Sequence, residues 1–297
     1  MGLPEWLSWF KSVGEFGTQG PAPDEHPPVT PLDGLAANAG TAGPLGAAVG
    51  QWADGWWSGA LKVPAHASRV GGVITPQTVV VHTTDMLPND WVALEAAWAR
   101  KPGQCAAHFN IGRSPLQGVV QHVSVTRNAN HAGGATRNGK PMHGWWVTEG
   151  GKFIHPNTIA IGIELHCAGM LKWKPGAVGR VALYNDSDSH RMVEFTGDDL
   201  YVDDLNRPWH VITQYQLDRL GELLHALKAV LKSLAEGTKP QADAAYIKDR
   251  SYWDTSAALP TRDTLVGHWS LDPVNKTDPG PQGMQALEEI AQKEGYR

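Results

Sequence analysis

Apolar runs of the length expected for buried strands recur along the chain from residue 78 onwards. The continuous β-branched run "TVVVHTT" at 78–84 is typical of a strand that is buried on both faces. The run "NTIAIGIELHCAG" at 157–169 has the same character, and "TLVGH" at 264–268 predicts a last short strand. Two further short strands are predicted around a turn at "RSPLQ", namely "HFNIG" and "GVVQHV".

Three segments have the apolar spacing of helices. In the best of them, residues 213–237, leucines recur every three or four positions, Thr213 can act as N-cap and Gly237 as stop. Residues 90–100 and 284–296 predict a shorter helix and a terminal one. Strands and helices mixed in this way predict an α/β fold, a mixed central β-sheet flanked by helices.

The domain prediction is an N-terminal extension, residues 1–64, followed by one organised domain, residues 65–297. The extension is rich in Pro and Gly between residues 18 and 50, which is typical of a linker or a loosely packed arm. Three tryptophans follow that stretch. Docking of these rings onto the domain is favoured over a small sugar-binding patch, because an isolated arm cannot otherwise bury them; they are Trp52, Trp56 and Trp57.

Two polar, turn-rich stretches inside the domain, residues 170–210 and 238–263, fit no regular element and are interpreted as insertions. Long irregular segments in a compact domain often form functional loops around a site. A plain surface addition explains them equally well, so both interpretations stay open.

Composition and charge narrow the classes of function. The chain is 41% hydrophobic and 19% charged, as in soluble globular proteins, and it holds no apolar run that could span a bilayer. A net charge of -5 gives no reason to expect nucleic acid as a partner, since phosphate binding needs a basic face. Cys105 and Cys167 form no CxxC pair, which excludes a cysteine-based zinc site, and two buried free thiols are favoured over a disulfide.

Polar residues stand where the buried strands end. His82 closes "TVVVH", Glu164 lies in "IGIEL" and His268 closes "TLVGH". Ligands of α/β folds bind in the cleft beyond the strand ends, so these side chains are candidates for a common site. Lys276 and Asp278 follow within a stiff frame of prolines and glycine, "DPVNKTDPGP".

Two imidazoles and one carboxylate are a common ligand set of catalytic zinc, which leaves a fourth position for water. Hydrolysis of an amide at such a centre also needs a base that collects a proton and a cation that stabilises the oxyanion. Glu164 and Lys276 are the candidates for those two roles.

Five motifs carry a resemblance to a known family. "TVVVHTTDM", "HFNIG", "NHAGG", "NTIAIGIEL" and "LVGHWSLDPVNKTDPGP" occur in the order found in type 2 N-acetylmuramoyl-L-alanine amidases. That superfamily includes the peptidoglycan-recognition proteins and phage lysozyme-type amidases. The resemblance covers roughly residues 72 to 283 and implies an amidase-like fold with loop insertions.

The resemblance implies an enzyme with one zinc ion that cuts the amide between N-acetylmuramic acid and the L-alanine of the stem peptide. It matches three positions of this chain to the zinc ligands: His82, His268 and Asp278. Glu164 matches the acidic residue that assists the zinc-bound water, and Lys276 matches the lysine that steadies the transition state.

The resemblance also reaches the substrate groove. His131 of "NHAGG" matches a cleft histidine that usually follows a Trp, whose place Asn130 takes here. Some phage relatives carry a Tyr where this chain has Ala107, so this chain should rely on Glu164 instead. His108 and Asn110 of "HFNIG" are further candidates for substrate contact, with burial in the core as their alternative.

An active amidase acting on peptidoglycan or muropeptides is the leading hypothesis. The alternatives are a non-catalytic recognition module that binds muropeptides and a zinc peptidase with another substrate. For the biological setting, a phage endolysin or an antibacterial effector is preferred over a cytoplasmic recycling amidase. An effector would have an immunity or delivery protein as partner. No signal peptide is recognisable, so we expect a protein that is made in the cytoplasm and reaches the cell wall by release or delivery.

Overall fold

The computed structural model describes residues 51–132, 136–137, 140–141, 146–147, 153–185, 192–235, 264–268 and 276–296. Residues 1–50 of the extension, the predicted insertion at 238–263 and the predicted stop at Gly237 lie outside these ranges. The strands are β1 Trp52–Ala53, β2 Trp56–Trp57, β3 Leu61–Lys62, β4 Val70–Val73, β5 Thr78–Thr83, β6 Phe109–Ile111, β7 Val119–Gln121, β8 Arg127–Ala129, β9 Thr136–Arg137, β10 Lys140–Pro141, β11 Trp146–Val147, β12 Phe153–Ile154, β13 Ala160–Leu165, β14 Lys172–Trp173, β15 Val181–Asn185, β16 Met192–Thr196, β17 Leu200–Val202, β18 Pro208–His210 and β19 Thr264–Gly267. The α-helices are α1 Trp91–Arg100, α2 Gln214–Ala235 and α3 Gly280–Glu294. The 3-10 helices are Ala67–Arg69, Pro88–Asp90, Pro156–Thr158 and Gly197–Asp199.

A six-stranded mixed sheet in the order β19–β5–β13–β6–β7–β3 forms the centre of the fold. Strands β19, β5, β13 and β6 run parallel, β7 is antiparallel to β6, and β3 is parallel to β7. The inner strands β5 and β13 are buried over almost their whole length, as their apolar runs predicted. The predicted α/β fold with a mixed central sheet and flanking helices is confirmed.

The two faces of this sheet differ in chemistry. Alternate residues of the inner strands, such as Val81 and Ile163, pack with the leucines of α2 in the main core. The residues between them, such as His82 and Glu164, lie on the opposite face, because successive side chains of a strand alternate. One face therefore holds the core, and the other collects the polar candidates of the sequence.

Helix α2 begins with reciprocal hydrogen bonds. The backbone N–H of Gln216 donates to Oγ1 of Thr213 at 3.3 Å, and the N–H of Thr213 donates to Oε1 of Gln216 at 3.1 Å. This is a capping box, and it confirms the predicted start of the helix. The stripe of leucines packs into the main core, where Leu220, Leu224 and Leu227 are fully buried. Within the described ranges no helix is long and apolar enough to cross a membrane.

The stretch 170–210 was predicted to be irregular, and that prediction is wrong. Strands β14, β15 and β16 form an antiparallel three-stranded sheet here, and β17 pairs with β18. One face of the hairpin β15–β16 packs on a small core of its own, through Ala182 and Phe195, which lie opposite each other. Along β16, Met192, Glu194 and Thr196 are exposed, and the residues of β15, "VALYN", do not alternate between apolar and polar, so the period-2 signal is weak in the sequence.

The tryptophans at the end of the extension dock onto the main core. Trp57 is 6% exposed within that core, and Trp52 contacts the ring of Phe109 edge-on at 6.3 Å. Directly after them, β3 pairs with β7 as the edge of the central sheet. Docking is therefore confirmed for Trp52 and Trp57, whereas docking of Trp56 and the exact boundary at residue 64 stay predictions.

Candidate active site

Parallel strand order brings three predicted residues to one edge of the sheet. In the register of β13 on β5, Glu164 lies beside His82. On the other side of β5, Gly267 pairs with Val81, so His268 follows directly at the level of His82. The ring centroids of His82 and His268 are 4.3 Å apart. The order of the parallel strands thus brings together residues that are far apart in the sequence.

Asp278 joins the two imidazoles from the start of α3. Its Oδ2 lies 3.3 Å from Nδ1 of His82 and 3.2 Å from Nδ1 of His268. The three ligand atoms lie within 4.8 Å of one another, and all three side chains are buried. A tetrahedral zinc with bonds of about 2.0–2.1 Å places its ligand atoms about 3.3 Å apart. The two measured distances match that spacing, so these residues fit a zinc ion.

The chain approaches α3 through a tight backbone at Gly280. This residue has a φ of +76°, in the left-handed region that favours glycine. A Cβ here would also lie 2.8 Å from the indole ring of Trp209. The N–H of Gly280 donates to the carbonyl of Thr277 at 2.9 Å, which closes the turn around Asp278. The Pro-Gly frame of the sequence thus holds the carboxylate in place.

The protonation states suit a divalent metal. Burial lowers the pKa of His82 to about 4, and His268 adds to that effect. Burial raises the pKa of Asp278, but the charge of His268 and its hydrogen bond to the carboxylate outweigh burial and hold that pKa well below its usual range. Near neutral pH the site therefore offers a neutral imidazole at His82 and an ionised carboxylate, which are the forms that bind a metal.

Glu164 presents a carboxyl group beside the cluster. Its Oε2 is buried and has no hydrogen-bond partner within the described residues. Burial raises the pKa of Glu164 well above its ordinary value, and the charges of Asp278 and Asp85 raise it further. The ammonium of Lys276 opposes this rise. The result is a carboxyl group that holds a proton more firmly than a solvated glutamate does.

Lys276 is half-buried, two residues before Asp278. Its positive charge lowers the pKa of Glu164 and also that of Asp85, so the ammonium lies close enough to act on both carboxyl groups. The catalytic role that the sequence analysis gave to Lys276 stays a prediction.

Asp85 is a carboxylate near the site that the sequence analysis did not single out. The residue is exposed, but its Oδ1 accepts a hydrogen bond from Thr83 at 3.1 Å and lies against the backbone of Gly169. Burial of the carboxylate raises the pKa of Asp85 to about 7, and Asp278 contributes to that rise. Its carbonyl accepts a hydrogen bond from the Tyr184 hydroxyl of β15. Its place directly after the "VVVHTT" strand was the available signal.

The three residues predicted to contact substrate lie on the polar face of the sheet, beneath the site. His108 and Asn110 are fully buried. The N–H of Gly162 donates to Nδ1 of His108 at 3.0 Å, and Nε2 of His108 donates to the carbonyl of Arg127 at 2.9 Å. Neither ring nitrogen is left for a ligand.

Asn110 belongs to a buried polar cluster with α1. Its amide donates to Oε1 of Glu95 at 2.7 Å, and the other oxygen of Glu95 lies 2.6 Å from Nε2 of His122. Substrate contact by His108 or Asn110 stays a prediction, and their burial gives it no support. His131, the third candidate, is 9% exposed and lies directly behind His82.

Both cysteines are free thiols, as expected. Cys167 is buried and Cys105 is half-buried. Burial raises the pKa of the Cys167 thiol to about 11. Neither thiol belongs to the His82, His268 and Asp278 cluster.

Comparison with known protein families gives a match over most of the chain. The sequence profile described as N-acetylmuramoyl-L-alanine amidase matches residues 73–281. No curated protein sequence matches the chain. Among solved structures, AmpD is 19% identical over 81% of this chain and 98% of its own, with a TM-score of 0.40. PlyL is 11% identical over 78% of this chain and 96% of its own, with a TM-score of 0.37. AmiD from E. coli, solved with a muropeptide substrate, is 17% identical over 74% of this chain and 59% of its own, with a TM-score of 0.39.

Proposed function

The chain belongs to the family of N-acetylmuramoyl-L-alanine amidases, which makes it a peptidoglycan amidase, and we propose that its reaction depends on one zinc ion. The ion would be held by His82, His268 and Asp278. The observation that carries this proposal is the convergence of two imidazole nitrogens and one carboxylate oxygen in a buried cluster at the strand ends. The bond cut is the amide between N-acetylmuramic acid and the L-alanine of the stem peptide.

A zinc ion held by these three residues would act as a Lewis acid and would lower the pKa of a water molecule toward neutrality. The protein residues around it then decide how protons move. Glu164 has the position and the raised pKa of a group that takes a proton from the attacking water at its carboxylate and returns it to the leaving amine. The buried Oε2 is the atom we assign to this transfer.

Lys276 is the cation that we assign to the developing negative charge on the scissile carbonyl oxygen. Support for this role comes from its charge, which lowers the pKa of Glu164. A preorganised positive charge in a partly buried site stabilises an oxyanion more strongly than the same charge does in water.

A non-catalytic recognition module is the alternative from another class. A buried carboxyl oxygen without a hydrogen-bond partner destabilises a fold and gives nothing to simple binding. Glu164 carries such an oxygen beside the metal cluster, and that favours a catalytic role. A zinc peptidase with another substrate would share this geometry, and product analysis distinguishes it.

The proposal is tested on a purified muropeptide that carries the complete stem peptide. We expect the zinc-loaded protein to release a peptide with a free L-alanine amino group, as seen by liquid chromatography and mass spectrometry. Glu164→Gln should bind zinc and turn over at least about a hundredfold more slowly, in line with the loss of a general base. An intact muropeptide after incubation with zinc-loaded protein would contradict the amidase assignment, whereas a cut elsewhere in the peptide would support the peptidase.

For the biological setting we propose an endolysin or an antibacterial effector rather than a recycling enzyme. The support is the sequence that precedes the profile match at residue 73, together with the β-sheet lobe of β14–β18 at the position of the predicted insertion 170–210. A wall-degrading enzyme should cut intact sacculi with a kcat/KM comparable to that for soluble anhydro-muropeptides. A strong preference for the soluble compounds would favour cytoplasmic recycling. An effector would in addition bind an immunity or delivery protein.

A further inference from the structure

His131 connects the metal cluster to the backbone of the central sheet. Its Nδ1 lies 2.9 Å from Nε2 of His82, and its Nε2 lies 3.3 Å from the carbonyl oxygen of Ala160 in β13. We propose that His131 is a positioning residue: it fixes His82 in the tautomer that carries its proton on Nε2, so that Nδ1 faces the metal as a bare donor atom. This inference rests on the proposed zinc site and assigns to His131 a role other than substrate contact.

The carbonyl of Ala160 sets the direction of the hydrogen bonds. A carbonyl oxygen can only accept, so Nε2 of His131 must carry the proton that it donates. A neutral imidazole has one N–H, and Nδ1 of His131 is then an acceptor. The atom that faces this acceptor, Nε2 of His82, must in turn be the donor.

The neutral state of His131 follows from its surroundings. Its two ring nitrogens face Nε2 of His82 and the backbone carbonyl of Ala160, and the ring of His108 lies on its other side. The ring is 9% exposed, and its edge-on neighbours on either side are those same two histidines. A second proton on this ring would be both desolvated and repelled.

If the hydrogen bonds ran in the opposite direction, the contact between His131 and Ala160 would have no proton. If Nδ1 of His82 carried the proton toward Asp278, Nε2 of His82 would accept from Nδ1 of His131. The bare Nε2 of His131 would then face the carbonyl oxygen of Ala160, and two acceptors would stand 3.3 Å apart with no proton between them.

The arrangement that we propose places a bare Nδ1 of His82 against Oδ2 of Asp278 at 3.3 Å. Two acceptors at this separation repel unless a cation lies between them. The hydrogen bonds that begin at the carbonyl of Ala160 therefore end in a position suited to a positive ion, consistent with the proposed zinc site. A metal-bound imidazole commonly donates its second N–H to a fixed acceptor, which orients the ring and raises its basicity.

Gly162 provides the space for the His131 ring. A Cβ at this position of β13 would lie under 3.0 Å from three atoms of that ring, closer than real Cβ atoms approach. The N–H of Gly162 is already used by Nδ1 of His108. The glycine of "IGIE" is needed because the imidazole of His131 packs directly against its Cα. A larger residue at this position would displace His131 and, through it, His82.

Of the two histidines of the metal site, His82 has a hydrogen-bond partner for its Nε2 and His268 has none within the described residues. This nitrogen of His268 is buried. The fixed tautomer is therefore a property of His82, and the metal affinity should respond to changes at His131.

The test compares two substitutions of His131 in the full chain, with zinc affinity measured by chelator competition. His131→Leu fills the space without an acceptor, and we expect its zinc affinity to fall roughly 10- to 100-fold, the effect of losing an outer partner of a metal ligand. His131→Asn keeps an acceptor oxygen near the position of Nδ1 and should bind zinc more tightly than His131→Leu. At saturating zinc, the KM for muropeptide should change little in either variant.

The glycine gives a second comparison. Gly162→Ala should weaken zinc binding in the same direction as His131→Leu, although it lies outside the ligand set. Gly72→Ala is the matched control, because a Cβ at that strand position has nothing within 4 Å. It should leave zinc affinity unchanged.

Unchanged zinc affinity in His131→Leu, with a raised KM, would overturn the positioning role and restore substrate contact. If that variant does not fold, nitrogen-15 NMR of histidine-labelled, zinc-loaded wild-type protein decides: the inference requires a proton on Nε2 of His82, and coordination through Nε2 would overturn it. Absence of zinc binding by the wild-type chain would instead refute the proposed function.

Discussion

At the scale of single residues, the site combines titratable groups whose pKa values are shifted in different directions by their surroundings. His82 is held neutral by burial, whereas Asp278 is held ionised chiefly by the neighbouring imidazole of His268. Glu164 differs from both, since burial and negative neighbours favour its protonated form. Carboxyl groups with such different pKa values in one cleft can perform different tasks, one as a ligand and the other as a carrier of protons.

Glu164→Gln should stabilise the metal-free protein near neutral pH. Because the pKa of Glu164 is higher in the folded than in the unfolded state, folding stability falls as pH rises from its unfolded pKa through its folded pKa. Glutamine cannot ionise and avoids that loss. We expect a higher Tm for the variant at pH 7 and a smaller difference near pH 4, measured by thermal unfolding in chelator. A lower Tm at pH 7 would contradict the raised pKa.

Glu164 should also determine the pH at which kcat/KM falls on the acid side of the pH profile. Proton uptake by Glu164 needs its ionised form, so kcat/KM should fall as pH drops through a pKa above that of a solvated glutamate. The positive charge of a bound zinc lowers the pKa of Glu164. The activity should therefore fall at a lower pH than the pKa of Glu164 in the metal-free protein would give. The pH profile of wild type is compared with that of Glu164→Gln, whose residual rate should lack this limb.

Asp278→Asn should remove zinc from the purified protein, because the amide offers a neutral oxygen in place of the ionised ligand. The loss of affinity should exceed the 10- to 100-fold expected for an outer partner of a ligand. Asp85→Asn is the control: it changes a nearby carboxylate that lies outside the cluster and should keep about one zinc per chain. The zinc content of both variants is measured after dialysis. Full zinc occupancy in Asp278→Asn would remove Asp278 from the ligand set.

The sequence indicated the metal cluster because each member has a local signal. His82 and His268 close apolar strands, and Asp278 lies in a Pro-Gly frame. The partners of His131 were not accessible in this way, since they depend on ring orientations across the sheet. Burial of His108 likewise follows from hydrogen bonds to Gly162 and Arg127 that no spacing reveals.

At the scale of elements, the buried parallel strands were predictable and the added sheet was not. Strands β5 and β13 consist of continuous apolar runs, which are specific to strands covered on both sides. In the hairpin β15–β16, one face of β16 is exposed, apolar and polar residues do not alternate regularly, and the packing partners lie within the lobe itself. Its link to the site, the bond from Tyr184 to Asp85, joins residues almost a hundred positions apart.

The tryptophan segment gives a prediction at this scale. Trp57→Ala should lower the free energy of unfolding by about 3–5 kcal/mol, the range for removing a large buried aromatic side chain. Trp56→Ala is the matched control: this ring is half-buried, and the ammonium of Lys62 lies 4.2 Å from its centroid. Loss of that contact costs about 0.5–1 kcal/mol. Denaturant unfolding of both variants measures the difference, and equal effects would contradict docking of Trp57 into the core.

At the scale of the whole molecule, the metal should couple catalysis to stability. The cluster joins β5, β19 and the start of α3, so an ion bound there links the middle of the sheet to its edge and to the terminal helix. A ligand that binds only the folded state stabilises it by about 2.7 kcal/mol at one hundred times its Kd. Zinc should therefore raise the Tm of wild type and leave that of Asp278→Asn almost unchanged. A wild-type Tm that does not respond to zinc would count against the site.

Hydrolysis of a muropeptide in oxygen-18 water tests the central claim most directly, because amide cleavage transfers the oxygen of water to the acyl side. With zinc-loaded protein, we predict one heavy oxygen in the lactyl carboxylate of N-acetylmuramic acid. The released stem peptide should begin with an unlabelled L-alanine, and a chelator should abolish the products. Label in a carboxylate of the peptide, or no cleavage with zinc bound, would contradict a zinc-dependent N-acetylmuramoyl-L-alanine amidase.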